Sequence, residues 1–458
     1  MDKDILVIGG GTGGLSCALS LAKKGFKVAL AEQSAFSRFG NTWVNDTETA
    51  SFEKYNLVTP LPGELVASVA RKAVFFTPDN KLRFGLNRFF LYSLRMDAYQ
   101  RRLADLCAKA GVDMNFGCAA TRLIYEGGFA KGALLRREKS DNDLEVRAAV
   151  TVLACGPRTP LMKHLPPGLE MDTACNEKDF VSAIQEVRAI DPAAAAAAVR
   201  KGAAIDDSMV VFMGMADAGG YATFLYQLDM ARGTIALLAG SRDQVPGVKG
   251  PRALLDENIE KLGFCREKIF GGGRPIALRP VSDTLCGNGL ALVGDAGFTV
   301  CPANGSGTVP SMISATLCAD AVADALQKGL SPSRENLWAY NAAFHRGMGA
   351  NFAGLSVVQK TLARLTDKQA FLLAKSGAMK GTDYEAVHSG HIVRIGPLDA
   401  LSRLARAGGA RGLLLKAGFA GLVAERVRAH YKSFPLSWSP EAFKSWQKKR
   451  DALAKFAR

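Results

Sequence analysis

Residues 4–32 constrain the fold of this chain more than any other stretch. Asp4-Ile5-Leu6-Val7-Ile8 is a short apolar run of the length of a buried parallel strand, and it breaks into Gly9-Gly10-Gly11-Thr12-Gly13-Gly14. An amphipathic segment follows at once, with Leu15, Ala18, Leu19 and Ala22 on one face. Gly25 stops it, and a second apolar run ends at the acid Glu32. Strand, glycine turn, helix, strand and acid in register make a complete dinucleotide-binding βαβ unit. Gly9 allows a sharp turn off the strand. Gly11 removes a side chain where a pyrophosphate must approach, and Gly14 lets the helix lie close to the sheet. Thr12 and Gly13 open that helix, whose free N–H groups and partial positive charge favour phosphate. Glu32, with Gln33 beside it, stands 18 residues past Gly14, where a carboxylate can accept hydrogen bonds from ribose hydroxyls.

The chain has 458 residues, room for about three units of ~150 residues. Nine cysteines are dispersed with no zinc-type spacing, which reads as reduced thiols in a reducing compartment. The five histidines show no metal-binding pattern, so no metal is expected. Met1-Asp2-Lys3-Asp4 runs straight into the first strand, leaving no signal peptide. No uncharged apolar stretch reaches ~18 residues, so no transmembrane helix is expected. These features predict a cytoplasmic protein. The net charge of +15 is uneven. Residues 401–458 hold thirteen lysines and arginines against three carboxylates.

Residues 33–62 have no clean period and read as a long binding loop. Residues 72–76 and 81–85 predict two strands, and 96–110 a helix ended by Gly111. Strands follow at 112–116, 120–125, 130–136 and 145–154. Residues 169–202 predict helix, with Asp191-Pro192 as an N-cap and first-turn pair before six alanines. Residues 208–215, 221–228 and 234–239 predict an antiparallel sheet inserted in the first domain. The strand 289–293 then runs into Gly294-Asp295-Ala296-Gly297. A second glycine-rich loop, Pro302-Ala303-Asn304-Gly305-Ser306-Gly307, precedes a helix over 309–327.

These elements resemble the flavoprotein superfamily of aromatic hydroxylases, halogenases, lycopene cyclases and geranylgeranyl reductases over about the first 330 residues. The resemblance implies FAD as cofactor. It gives Asp295 of the Gly294-Asp295 pair the ribityl chain, places Pro302, Gly305, Ser306 and Gly307 under the flavin ring, and makes Arg95 an FAD contact. Within the superfamily the chain is most similar to the geranylgeranyl reductases. Gly219-Gly220-Tyr221-Ala222 looks like the start of their Gly-Tyr-x-Trp-x-Phe-Pro motif, although Thr223 and Leu225-Tyr226 depart from the rest. The loop Asn41-Thr42-Trp43-Val44-Asn45-Asp46 is faintly similar to lycopene cyclases. Tyr221, facing the substrate cavity, and Cys301 are the candidate catalytic residues. For Cys301 the alternative is a buried structural thiol.

The expected fold is α/β. A Rossmann-type FAD-binding domain (1–60, 87–168 and 276–330) carries an inserted antiparallel-sheet substrate domain (61–86 and 169–275) and a C-terminal helical, basic region (331–458). The expected function is an FAD-dependent oxidoreductase that reduces C=C bonds of an isoprenoid or related lipid by hydride transfer from reduced flavin. The alternatives on the same fold are a monooxygenase or halogenase, and a non-redox lycopene-cyclase-like lipid cyclase. Electrons would come from a separate donor, a reduced nicotinamide or ferredoxin. The basic tail interleaves arginines and lysines with Leu413, Leu414, Leu415, Phe419 and Leu422, then with Trp438, Phe443, Trp446 and Phe456. It predicts peripheral attachment to an anionic membrane on its inner face. The alternative is a helix packed on its own domain. No nucleic-acid recognition motif accompanies the charge.

Overall fold

The first apolar run forms the strand Asp2–Ile8, the glycine turn opens the helix Thr12–Lys23, and the second run forms the strand Val28–Glu32. The computed structural model describes residues 2–66, 72–76, 83–86, 91–138, 140, 142–213, 223–378 and 380–455. The first strand sits centrally in a sheet ordered Cys286–Gly287, Leu290–Leu292, Asp143–Leu153, Asp2–Ile8, Val28–Glu32, Asp113–Phe116. The last five of these strands are mutually parallel. In the register, Ile8 stands opposite both Ala31 and Leu153, and Leu153 stands opposite Leu292. Parallel strands in register end at one edge. Gly9, Glu32, Ala154 and Gly294 therefore emerge together, where open α/β sheets bind ligands. The strands are buried on both faces, as covered parallel sheets require. Ile5, Leu6, Val7, Leu30, Val150, Val152, Leu290 and Leu292 are almost wholly inaccessible.

Gly14 shows why the turn needs glycine. A Cβ there would lie 1.9 Å from the carbonyl oxygen of Gly9. The helix could not start so close to the strand with any side chain at that point. Against Thr12–Lys23 packs the helix Thr308–Gln327. By length and composition this 20-residue helix could cross a membrane. In the fold it is the central core helix, with Met312, Ala315, Cys318, Ala319 and Val322 all buried.

A second sheet runs in the order Cys265–Ala277, Phe180–Ile190, Thr234–Ser241, Thr223–Asp229, Met209–Met213, Ala73–Phe76, Arg83–Leu86. All pairs are antiparallel except Met209–Met213 with Ala73–Phe76. This corrects the helix expected over 169–202. The only α-helix there is Pro192–Arg200, with Asp191 accepting a hydrogen bond from the Ala194 N–H. Phe180–Ile190 is instead a strand paired on both sides. Non-local pairing decides its state, against the local impression left by the neighbouring alanines. One partner, Cys265–Ala277, carries Gly271-Gly272-Gly273. At Gly271, φ is +134° and a Cβ would meet the Gln185 carbonyl at 2.2 Å.

The loop expected over 33–62 also gains structure. Val44–Glu48 pairs antiparallel with Leu91–Arg95, and Ala50–Lys54 is a short helix. The C-terminal region is helical from Arg334–Phe344 to Pro440–Lys455. Of the late aromatics of the tail, Phe456 lies outside the described residues, and Trp438, Phe443 and Trp446 do not face solvent as a row. Phe443 and Trp446 are buried, and Trp338 stacks on Phe434 and meets Trp438 and Phe443 edgewise or tilted. For these residues, packing on their own domain is the correct reading. Removing such a buried aromatic typically costs about 3–5 kcal/mol.

Candidate flavin and substrate site

The strand edge opens into a cavity of about 620 Å³, within the size range of small-molecule sites. Segments far apart in the chain line it, among them Gly9–Gly13, Glu32–Ser34, Asp295 with Gly305, Gly307 and Thr308, and Arg274 with Ile276. At Gly11 a Cβ would point into open space, with no atom within 4 Å. That empty cradle at a helix N-terminus is what an incoming diphosphate needs. Glu32 is held for its role: its Oε2 accepts from the Gly10 N–H at 2.8 Å and its Oε1 from the Ser34 N–H at 2.8 Å. Each carboxylate oxygen keeps a lone pair for a further donor. Asp295 follows Gly294, whose φ of +65° is the left-handed turn that ends the strand. Burial pushes the Asp295 carboxyl up, and the Arg274 guanidinium holds it down. Burial in turn lowers Arg274, against the pull of Asp295 and Glu32. Arg274 shares the cavity with both acids and also donates to Asn41 Oδ1. An open glycine cradle, a tethered acid, a second acid and a guanidinium in one cavity together fit FAD.

A second cavity of about 300 Å³ lies on the face of the inserted sheet. It shares Trp43, Asn45, Ile276 and Gly305 with the first, so the two spaces meet. Phe75, Val181, Met209, Val211, Leu225 and Leu238 make its walls apolar. One acid faces it. Asp46 is pushed up to about 6 by burial, against the hydrogen bond from Ser93. The Ser93 hydroxyl lies 2.5 Å from Asp46 Oδ1 and 2.9 Å from Gln227 Oε1. A hydroxyl has one proton to give and can accept as well. It can donate to ionised Asp46, or accept from protonated Asp46 while donating to Gln227.

A family model described as FAD dependent oxidoreductase matches residues 4–55. The digeranylgeranylglycerophospholipid reductase of Sulfolobus acidocaldarius is 25% identical over 451 residues, covering 98% of this chain and 96% of its own. The digeranylgeranylglycerophospholipid reductase 2 of Methanothermobacter thermautotrophicus is 25% identical over 404 residues, covering 86% of this chain and 96% of its own. The chain is an FAD-dependent oxidoreductase related to the geranylgeranyl reductases. Solved structures agree on the fold. A geranylgeranyl bacteriochlorophyll reductase-like protein of Thermoplasma acidophilum superposes with a TM-score of 0.71 at 20% identity, covering 91% of this chain and 99% of that one. The myxobacterial chondrochloren halogenase superposes with a TM-score of 0.59 at 17% identity, covering 99% and 97%.

In this flavoprotein, Gly9, Gly11, Thr12, Gly13, Glu32, Gln33, Asp295, Gly305 and Gly307 all line the larger cavity. Gly14 and Gly294 act behind it, through the backbone turns that form it. Ser306 lines the smaller cavity. Three assignments change. Arg95 lies outside the larger cavity, paired with Asp97 at 2.9 Å and stacked over Phe270. It sits at the end of a strand paired to Val44–Glu48, which turns it away. Arg274 supplies the guanidinium instead. Pro302 faces a small cleft with Phe352, Ala353 and Tyr431 rather than either larger cavity. Cys301 is buried, with its thiol pushed up to about 11. It is therefore protonated at neutral pH. Its N–H donates to Ser306 O and its carbonyl accepts from the Gly305 N–H, both at 2.9 Å, which closes the glycine loop. That favours the structural reading of this thiol.

Tyr221 and the rest of 214–222 lie outside the described residues. The residues that sequence reasoning missed are Arg274 and Asp46. Arg274 belongs to a strand without a local signature. Asp46 stood in a noted loop, but nothing in the sequence showed that it would be buried beside Ser93. Among the described residues no cluster suits a metal ion.

Proposed function

We propose that this flavoprotein reduces carbon–carbon double bonds of an isoprenoid lipid. The observation that carries the reading is the apolar cavity on the inserted sheet, which meets the cofactor cavity at Trp43, Asn45, Ile276 and Gly305. The names of the relatives support the lipid class. Bound FAD, once reduced, supplies the hydride. The chain supplies the rest. Phe75, Val211, Leu225 and Leu238 hold an apolar chain and exclude water. Asp46 gives the proton to the second carbon, and Ser93 and Gln227 hold the carboxyl in place. A carboxyl raised to about 6 keeps a protonated fraction near neutral pH. Electrons reach the flavin from a separate reduced nicotinamide or ferredoxin.

We also propose that the protein sits peripherally on an anionic membrane, on its cytoplasmic side. The surface that supports this is narrower than the whole tail. Leu398 and Leu401 on Pro397–Arg406, and Leu415, Phe419 and Leu422 on Arg411–Lys432, are all more than half exposed. Their spacing puts each set on one helix stripe. Arg406, Arg411, Lys416 and Arg426 are exposed on the same two helices. Apolar stripes flanked by cations suit a lipid interface.

The test of the reaction is anaerobic. Flavin is reduced chemically, and geranylgeranyl lipids are added. Reoxidation with a gain of two mass units per double bond is the expected result. Flavin that stays reduced until air enters would instead indicate an oxygenase or halogenase. Product of unchanged mass with unchanged flavin absorbance would indicate a cyclase.

A further inference from the structure

A third cavity, of about 610 Å³, lies beyond the glycine loop from the flavin space. It shares Asn304 and Ser306 with the apolar cavity, and the strand Val44–Glu48 passes from one to the other, with Asp46 in the first and Glu48 in the second. Its character is the opposite of its neighbour's. Lys54, Arg346, Arg428 and Lys432 line it, against the single carboxyl of Glu48.

Not all of that charge is free. Arg428 is bound through Nε and a terminal nitrogen to Glu425. Arg346 donates its Nε to the carbonyl of Lys432 at 2.6 Å, which anchors it to the end of the helix Arg411–Lys432 and leaves its terminal nitrogens for another acceptor. Among the described residues, neither Lys54, Arg346 nor Lys432 has a carboxylate within ion-pair distance. Other groups around the cavity bear out a positive field. Burial lowers His391, and Lys54 and Arg394 lower it further. Burial raises Glu48, against hydrogen bonds from Ser51 and Ser389 and the charge of Lys54. Three cations from three separate elements, Lys54, Arg346 and Lys432, with no carboxylate at ion-pair distance among the described residues, call for an anion. A phosphate accepts well from both guanidinium and ammonium groups.

We propose that this cavity binds the phosphate-bearing headgroup of the lipid whose apolar chain occupies the neighbouring cavity. Arg346, Lys432 and Lys54 are the contacts. The proposal rests on the reading of the protein as an isoprenoid-lipid reductase, and it makes the substrate class an anionic isoprenoid. Continuity of the two cavities at Asn304 and Ser306 is what favours a headgroup over a free anion, because one amphipathic molecule can fill both.

The experiment uses oxidised holoenzyme and equilibrium dialysis, so it is independent of turnover. The probes are geranylgeranyl phosphate, geranylgeraniol and inorganic phosphate. The variants are Arg346→Gln, Lys432→Gln, the double variant, and Arg346→Lys, each checked for unchanged flavin content and circular dichroism. Wild type is expected to bind the phosphate ester at least about tenfold more tightly than the alcohol. The double variant is expected to lose that preference while binding the alcohol as before, and Arg346→Lys to restore part of it. Equal affinity of wild type for ester and alcohol overturns the proposal. So does phosphate-ester binding that survives in the double variant. Inorganic phosphate binding as tightly as the ester assigns the cavity to a free anion and overturns the headgroup. Loss of reduction by NADPH in the double variant, with lipid binding intact, assigns it to the electron donor and also overturns it. Failure of the reductase reading shows separately, as bound lipid that never reoxidises reduced flavin.

Discussion

An acid buried beside an apolar cavity carries a stability cost that its removal should reveal. The Asp46 carboxyl is raised from its ordinary 3.8 to about 6, chiefly by burial. Between those two values the folded protein holds a proton that the unfolded chain has released, so stability falls as pH rises through that window. The full difference is about 3 kcal/mol, present above pH ~6 and absent below pH ~4. Asp46→Asn removes the ionisation and keeps an oxygen to accept from Ser93. Relative to wild type, the variant should be of similar stability at pH 4 and about 3 kcal/mol more stable at pH 7. Denaturant unfolding of the oxidised holoenzyme at the two pH values measures this. Single-turnover reoxidation by lipid measures the other side. Loss of a positioned acid should slow it about 10²–10⁴-fold, and the wild-type rate should fall as pH rises past about 6. A variant that is less stable at pH 7, or one that turns over at the wild-type rate, would refute the assignment of Asp46.

Gly11→Val should leave the fold intact, because its Cβ meets no protein atom. It should nevertheless yield colourless protein, read from flavin absorbance against protein absorbance. Arg403→Ala should lower stability by about 3–5 kcal/mol, because the loss of the buried guanidinium strands the carboxylate of Asp383, whereas Asp399 keeps Lys380; thermal melts and hydrogen exchange over 367–406 would show it. Replacing Leu415, Phe419 and Leu422 together by serine should cut sedimentation with anionic vesicles at least tenfold. Added salt should weaken wild-type binding, at about 1 kcal/mol per cation near the surface. Trp446→Ala should destabilise the C-terminal helices by about 3–5 kcal/mol and leave vesicle binding of the folded fraction unchanged, since Trp446 is buried.

The cofactor half of this protein was legible in its sequence because its requirements are local. A turn that brings a Cβ within 1.9 Å of a carbonyl at Gly14, and open space at Gly11, both select glycine and leave a pattern within 32 residues. Glu32 could be named for the same reason, since it ends a short apolar strand fixed in the sheet; Asp295 was named through the resemblance of its Gly294-Asp295 pair to other flavoproteins. Tertiary structure alone decided the rest. Phe180–Ile190 is a strand because Cys265–Ala277 and Thr234–Ser241 lie on either side of it, with Phe180 opposite Ala277. Arg274 reaches the cavity lined by Glu32 and Asp295 from that same distant strand. Asp46 is pushed up to about 6 because the folded chain buries it, against the hydrogen bond from Ser93. The tail divides into an exposed leucine stripe and a buried aromatic cluster according to which helix faces meet Trp338 and Phe434. Backbone turns are specified by neighbours in the chain. Burial and the shifts in acidity that follow from it depend on which distant side chains arrive, and no local pattern records that.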